Sequence, residues 1–340
     1  MKGVVLLGAG KAEVREFPDP EPGAGEVRVK MMATGICGSD LRAYRMNEEQ
    51  ARERGRRIPS HEPCGIVDRL GAGVQGVKEG DRVVVYHHQG CGHCADCAAG
   101  DLMWCRQVRA FGWHLDGSHA DFVIADERNC VPLPDSLSFT DGPFVACSGG
   151  TAYGSLQKLD VRAGDAVAVF GLGPLGLSAV LLAKAKGCHV IGVDIVDERV
   201  ALAVKVGADA GINARRQDPV EAIRDVTGGE GATAAVEASG SFAACDNIGE
   251  CLGRRGRAVI VGSGSAERFL HPNQLKGKQL TVTASFVLPL WMSWELVRFL
   301  ARQRLTFESA VTHRFPLEQA AEAYATFAAG TSGKVIIEEQ

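Results

Sequence analysis

No stretch of the 340 residues stays apolar long enough for a membrane-spanning helix. The N-terminus, MKGVVLLGAGKAEVREF, has one early lysine and a short apolar run. Glu13 and Glu16 follow without a small-residue cleavage site, so it reads as a first strand and hairpin rather than a signal peptide. A charge excess of either sign is also lacking: 37 Lys and Arg face 41 Asp and Glu, a formal net charge of −4. That balance argues against a phosphate-backbone partner. The basic cluster Arg52 to Arg57 (RERGRR) sits among acids and reads as a solvated helix face. There is no internal repeat and no low-complexity segment. The expectation is a cytoplasmic protein with neither a nucleic-acid nor a membrane partner. Nothing marks the chain as secreted, so its 11 cysteines point to metal binding before disulfides.

What is present fits a two-domain α/β enzyme. The length exceeds what one hydrophobic core usually serves, and 46% hydrophobic with 23% charged residues is ordinary for a globular chain. Residues 1–147 read as β-rich, with strands near Glu26–Met32, Gly65–Leu70 and Asp81–Tyr86 between Gly/Pro/Asp turns. Residues 148–287 alternate strand and helix. The strands expected are Ala166–Phe170, His189–Val193, Ala210–Ile212, Ala234–Glu237, Ala258–Val261 and Leu280–Phe286, with connections such as the helix Pro219–Val226. This is the grammar of a doubly wound parallel sheet. Residues 288–340 read as helices over Leu288–Arg304 and Glu318–Ala329 and a last strand Lys334–Ile337, and are assigned back to the first domain.

The second domain opens on strand, glycine turn, helix, strand. Val167–Phe170 is followed by Gly171-Leu172-Gly173-Pro174-Leu175-Gly176, an apolar helix to Ala185, and His189–Asp194. In such a unit the first glycine makes the tight turn, the second lets backbone approach a pyrophosphate, and the third lets helix and strand pack closely. The helix N-terminus presents N–H groups to the phosphates. Asp194 lies 23 residues after Gly171, close to the offset of about 20 for an acid that bonds a ribose 2′-hydroxyl. An acid there repels a 2′-phosphate, so the cofactor expected is NAD.

Cys91, Cys94, Cys97 and Cys105 lie in one Gly/Ala-rich loop. Four thiolates without an open position suit a structural zinc, and His93 is left as a surface residue. The competing reading of this loop is a redox-active thiol cluster. Elsewhere, Cys37 in TGICGSD, His61 in SHEP and Cys147 in CSGG supply a set with an open fourth position, the donor set of a catalytic zinc. Their distance in sequence does not by itself join them.

Seven marks in order resemble the zinc-dependent alcohol dehydrogenases of the medium-chain dehydrogenase/reductase superfamily over essentially the whole chain: GICGSD, HEPCG, GDRV, the four-cysteine loop, CSGGTAYGSL, GLGPLG with Asp194, and GKVII. The resemblance implies a GroES-like β-domain (1–147 with 288–340) and a Rossmann domain (148–287), with two zinc ions per chain. Cys37, His61 and Cys147 would hold the catalytic zinc in the cleft, with Glu62 able to approach it and Asp40 orienting the histidine. Cys147 resembles the alcohol dehydrogenase pattern, whereas related polyol dehydrogenases tend to use a glutamate. Ser39 would take the alcohol proton. Thr151 would contact the nicotinamide, Arg199 the adenosine ribose, and Lys334 of the closing GKVII is placed with the cofactor. Many relatives carry a relay histidine where this chain has Arg42, and a guanidinium does not shuttle protons at neutral pH, so either water or another histidine would end the relay. His87, Phe111 and Trp113 are candidates for the substrate pocket. The activity implied is hydride transfer between an alcohol (primary, secondary or polyol) and NAD, interconverting alcohol and aldehyde or ketone. The alternatives are a zinc-free enone or quinone reductase of the same superfamily and a non-catalytic nicotinamide-binding protein. The stretch Leu280–Phe286 resembles the edge strand through which relatives pair their sheets, implying a homodimer or homotetramer.

Overall fold

The computed structural model describes residues 1–264 and 272–339. The chain divides into two compact units, Met1–Gly150 with Pro289–Gln340, and Thr151–Leu288.

The first unit is β-rich. Strands β1 (Lys2–Gly8) and β2 (Lys11–Glu16) form the expected N-terminal hairpin. Its turn residues Ala9 and Gly10 both have positive φ, the conformation that matches a tight hairpin to strand twist. Next come β3 (Glu26–Gly35), β4 (Pro63–Leu70), β5 (Arg82–Val85), β6 (His88–Gln89), β7 (Arg109–Ala110), β8 (Phe122–Asp126) and β9 (Cys130–Pro132). The long β3 carries alternating inward residues, Val27, Val29 and Met31, into a core with Val67, Val83, Val85 and Val123. It pairs with β4 on one side and β8 on the other.

The second unit holds β10 (Ala166–Phe170), β11 (His189–Asp194), β12 (Ala210–Asn213), β13 (Ala232–Glu237), β14 (Leu252–Ile260) and β15 (Thr281–Ala284). All pair in parallel, in the order β12-β11-β10-β13-β14-β15. This is the doubly wound order with its switch point between the first and fourth strands, where ligands sit at the carboxyl ends. The central strands read as continuous apolar runs because helices cover both faces; Val167, Ala168 and Val169 are fully buried. β14 begins six residues before the expected start, and β15 is shorter than expected at both ends.

The chain then returns to the first unit. Helix Leu290–Gln303 precedes β16 (Val311–Phe315), helix Ala320–Ala328 and β17 (Lys334–Glu338). β17 pairs antiparallel with the end of β3, Ile336 opposite Gly35. That pairing carries Lys334 to the ligand-bearing end of β3. Among the described residues no helix is long and apolar enough to cross a membrane.

The basic cluster is not only a solvated face. Arg52 and Arg56 are exposed, but the Arg54 guanidinium donates to the carbonyls of Arg57 (2.6 Å) and Gly112 (2.8 Å), and Arg57 donates to Trp113 O (2.7 Å). Backbone carbonyls too distant in sequence to be foreseen turn these two cations into anchors for the 110–117 loop.

Candidate functional site

Four donors converge in the first unit. The ligand atoms of Cys37, His61, Glu62 and Cys147 all lie within 4.8 Å of one another. Cys37 follows the end of β3, and His61 and Glu62 occupy the turn before β4. Cys147 lies in a π-helical turn, Phe144–Ser148, entering the helix Gly149–Lys158. Such wide turns recur at functional sites because they re-aim a side chain without ending the helix.

The Cys37 and Cys147 sulfurs are 3.8 Å apart. A tetrahedral zinc with metal–sulfur bonds of about 2.3 Å places its sulfurs about 3.8 Å apart, so the pair fits such an ion. Asp40 faces His61 Nδ1 at 3.5 Å and its other oxygen accepts from Cys37 N at 2.8 Å. No hydrogen bond forms at that distance and Nδ1 is buried without a partner, but a carboxylate facing it favours a proton on Nδ1 and leaves Nε2 for an ion. Ser39 Oγ lies 3.5 Å from that Nε2. The Cys37 thiol is held well below its ordinary value by the hydrogen bond from Cys147, aided by His61 and Lys334.

Behind the ligands, Lys334 is ion-paired to Glu62 and also donates to Ile36 O at 3.4 Å; both charged side chains are fully buried. Burial pushes Glu62 up to about 7 against the pull of Lys334. Gly35 makes this approach possible, since a Cβ there would stand 2.0 Å from Glu62 Oε2 and 2.4 Å from Lys334 Cε. The Oε1 atom of Glu62 is buried without a hydrogen-bond partner, an orphan that an ion would satisfy. The charges also fit. The hydrogen bond to Cys37 and burial hold Cys147 well above the usual thiol value, so an ion would have to displace its proton; two thiolates, with Glu62 offset by Lys334, would then balance a divalent cation.

The expectation that Lys334 serves the cofactor is therefore corrected: its ammonium is sequestered against Glu62. Phe111 is corrected too. Its ring is fully buried in the β-core with Val29 and Val85, so it offers no surface to a substrate. Trp113 is half-buried and Arg42 is exposed. His87 is buried 5.5 Å, ring to ring, from His61, and its Nδ1–H donates to the carbonyl of Ala146, beside Cys147. Burial holds it well below the ordinary imidazole value, so it stays neutral and braces the ligand segments.

Cys91, Cys94, Cys97 and Cys105 form the second cluster, their sulfurs within 4.8 Å of one another. Cys94 caps the short helix Ala95–Ala99, accepting from Cys97 N, while Cys91 N and Gln107 N donate to Cys105 Sγ. The backbone N–H of His93 leads in drawing Cys91 down to about 6, while burial pushes Cys97 up to about 12. A sulfur separation of 4.0 Å for Cys91 and Cys97 is near a tetrahedral edge. It is about twice a disulfide bond. His93 is exposed. Cys94→Ser is expected to remove one zinc per chain and leave the other, and to expose the loop to trypsin after Arg106. Two zincs retained by metal analysis, with unchanged proteolysis, would reject a metal role for this loop.

In the second unit each glycine of the turn after β10 shows a distinct role. Gly171 has φ +89, and a Cβ there would meet Ser239 N at 2.7 Å. A Cβ on Gly173, the N-cap of helix Pro174–Ala185, would stand in open space, and at Gly176 a Cβ would press 1.8 Å from Gly171 O. Pro174 starts the helix where no backbone N–H is needed; Leu175 follows, half-buried. Asp194 accepts from Leu172 N (2.7 Å), Ile195 N (2.7 Å) and Val196 N (3.0 Å). A carboxylate has about four acceptor positions, which leaves room for a ribose hydroxyl. Arg199 is half-buried in the first turn of helix Asp197–Val206, and Thr151 is buried in Gly149–Lys158. Sequence reasoning missed Glu237, a fully buried carboxylate at the end of β13 that accepts from Ser239 N (2.8 Å) and Gly240 N (2.9 Å).

Comparison with known proteins adds independent findings. Residues 23–135 match the family described as alcohol dehydrogenase GroES-like domain, and residues 174–302 that described as zinc-binding dehydrogenase. The uncharacterized zinc-type alcohol dehydrogenase-like protein YphC of Escherichia coli is 37% identical, over 99% of this chain and 98% of that protein. The L-threonine 3-dehydrogenase of Pyrococcus horikoshii is 34% identical, over 96% of this chain and 94% of its own length. Among solved structures, alcohol dehydrogenase TADH from Thermus sp. ATN1 superposes with a TM-score of 0.91 at 30% identity, covering 100% of both chains.

Proposed function

The chain belongs to the zinc-type alcohol dehydrogenase family of the medium-chain dehydrogenase/reductases, and on that premise we propose that it moves a hydride between an alcohol and NAD, interconverting alcohol and aldehyde or ketone. The observation carrying this reading is the convergence of Cys37, His61 and Cys147, with Glu62 behind them. It argues against a zinc-free enone or quinone reductase, which has no use for that donor set. Zinc, when bound, supplies a Lewis acid for the substrate oxygen, and the nicotinamide supplies a hydride acceptor. The protein's own groups do the rest. Asp40, 3.5 Å from His61 Nδ1, favours the tautomer with the proton on that nitrogen. Lys334 offsets the charge of Glu62, so once an ion has displaced the Cys147 proton the two thiolates would carry the two negative charges that match it. Ser39, 3.5 Å from His61 Nε2, takes the proton released by the alcohol. Arg42 points to solvent, so water ends the relay.

The substrate class includes secondary alcohols. The name of the archaeal relative describes oxidation of a secondary hydroxyl on an amino acid, so hydroxy amino acids join primary alcohols, secondary alcohols and polyols as candidates. NADH formation across that panel tests the reading. Turnover of at least one member is expected, and silence on every alcohol, with no carbonyl reduced in reverse, would defeat it. We propose NAD over NADP because Asp194 occupies the ribose position. Asp194→Gly should raise the NADP/NAD ratio of kcat/KM about tenfold to a hundredfold, the range for a hydrogen bond to a charged group. An unchanged ratio would count against Asp194 as the selector. A cytoplasmic homodimer or homotetramer is proposed. β15 is an edge strand of its sheet, with exposed residues at both ends.

A further inference from the structure

Ser60, immediately before the candidate ligand His61, has φ +77. That left-handed conformation costs a non-glycine residue of order 1–3 kcal/mol and persists only where the surroundings over-determine it. Here they do. The carbonyls of Ile58, Pro59 and Ser60 accept from Gly117 N (2.9 Å), His119 N (3.2 Å) and Ser118 N (3.3 Å). The two segments are in backbone contact, for a Cβ at Gly117 would lie 2.0 Å from Ser60 O.

A buried polar chain runs through the same place. Ser60 Oγ donates to Gly35 O at 3.0 Å. Its one proton is thus committed, so Ser118 Oγ donates to it at 3.1 Å, and Thr34 Oγ1 donates to Ser118 at 2.6 Å. From the other side His119 Nε2 lies 3.2 Å from the same Gly35 carbonyl, and a nitrogen facing a carbonyl carries the hydrogen. His119 Nδ1 therefore accepts from Tyr324 O–H at 3.0 Å. Thr34 is 2% exposed and Ser60, Ser118, His119 and Tyr324 are 0% exposed. Gly35, the shared acceptor, is two residues before Cys37, and Ser60 is one before His61. None of the five side chains takes part in the proposed hydride transfer.

We propose that Thr34, Ser60, Ser118, His119 and Tyr324 form a positioning network for the zinc of the Cys37–His61–Cys147 centre. This inference rests on the metal reading above. The network clamps the end of β3 to the strained Ser60 turn, so Cys37 and His61 stand at ligand distance before an ion arrives. An ion leaves only when those two segments part, which makes the network a determinant of zinc retention.

The test is zinc release from the full, zinc-loaded chain to a chromogenic chelator. Two zincs should leave in separable phases, one per cluster. In Ser118→Ala and in the isosteric Thr34→Val, one phase should quicken about tenfold or more, the range typical of partners that support metal ligands. The other should be unchanged, since the network's hydrogen bonds among the described residues run between Thr34, Gly35, Ser60, Ser118, His119 and Tyr324, away from the four-cysteine loop. Thr34→Ser, which keeps the hydroxyl, should restore the slow phase. Ser60→Gly and Ser60→Ala both lose the hydroxyl, but glycine relieves the backbone, so the Gly variant should melt at the higher temperature. Unaltered release in both Ser118→Ala and Thr34→Val, or equal melting of the Ser60 pair, would overturn the inference alone. A wild-type chain with fewer than two zincs would overturn the metal reading and this inference with it.

Discussion

Cys147→Ala is expected to lower bound zinc from two per chain to one and to reduce kcat/KM for the best alcohol by about a thousandfold or more. A metal electrophile is worth several kcal/mol at the transition state, and each ~1.4 kcal/mol is a factor of ten. The substitution removes one of two sulfurs placed 3.8 Å apart, leaving an ion to His61, Cys37 and a carboxylate already paired with Lys334. Dinucleotide binding, followed by quenching of protein fluorescence, should survive, because Gly171, Gly173, Gly176 and Asp194 belong to the other compact unit. Retention of both zincs with full turnover would remove Cys147 from the centre. Loss of turnover with both zincs kept would assign it a different role.

The second large effect is expected for Lys334→Met. Both members of the Lys334–Glu62 pair have no exposed side-chain surface. Removing the cation strands a carboxylate in the interior, which typically costs about 3–5 kcal/mol. Melting of the first unit should fall by roughly 10 °C, from the ~2–4 °C per kcal/mol seen for chains of comparable size. Glu62→Gln combined with Lys334→Met removes both charges at similar volume and should recover much of the loss. A single variant as stable as wild type, or a double variant no better than the single, would show that the pair does not stabilise this region.

These two predictions differ in how visible their residues were beforehand. Cys147 stood out within CSGGTAYGSL, and its role followed from the resemblance of the whole chain to a family. Lys334 stood out within GKVII, but sequence reasoning placed it with the cofactor. Its partner lies 272 residues away, and only the pairing of β17 with β3 brings the two together. Phe111 failed for a related reason. An aromatic next to a turn is as suitable for a pocket as for a core, and burial decides which it becomes. The hydroxyl network had no sequence signal at all, because single Ser and Thr residues are common and nothing in their spacing marks a shared neighbour.

The amino-acid order by itself determined the features whose physics is local. A glycine turn between an apolar strand and a helix N-terminus, an acid at the end of the next strand, and four thiols within one short loop each satisfy their own geometric need over a few tens of residues. The alternation of strand and helix likewise sufficed for a parallel sheet. Tertiary structure alone decided what depends on which backbones lie side by side. The sheet orders bring Cys37, His61 and Cys147 to one point, set Lys334 against Glu62, and press the 117–119 segment onto the strained Ser60. The reason is physical. Coordination, charge pairing in a dry interior and hydroxyl networks act over only a few ångströms, so they belong to neighbours in space, whatever their separation along the chain.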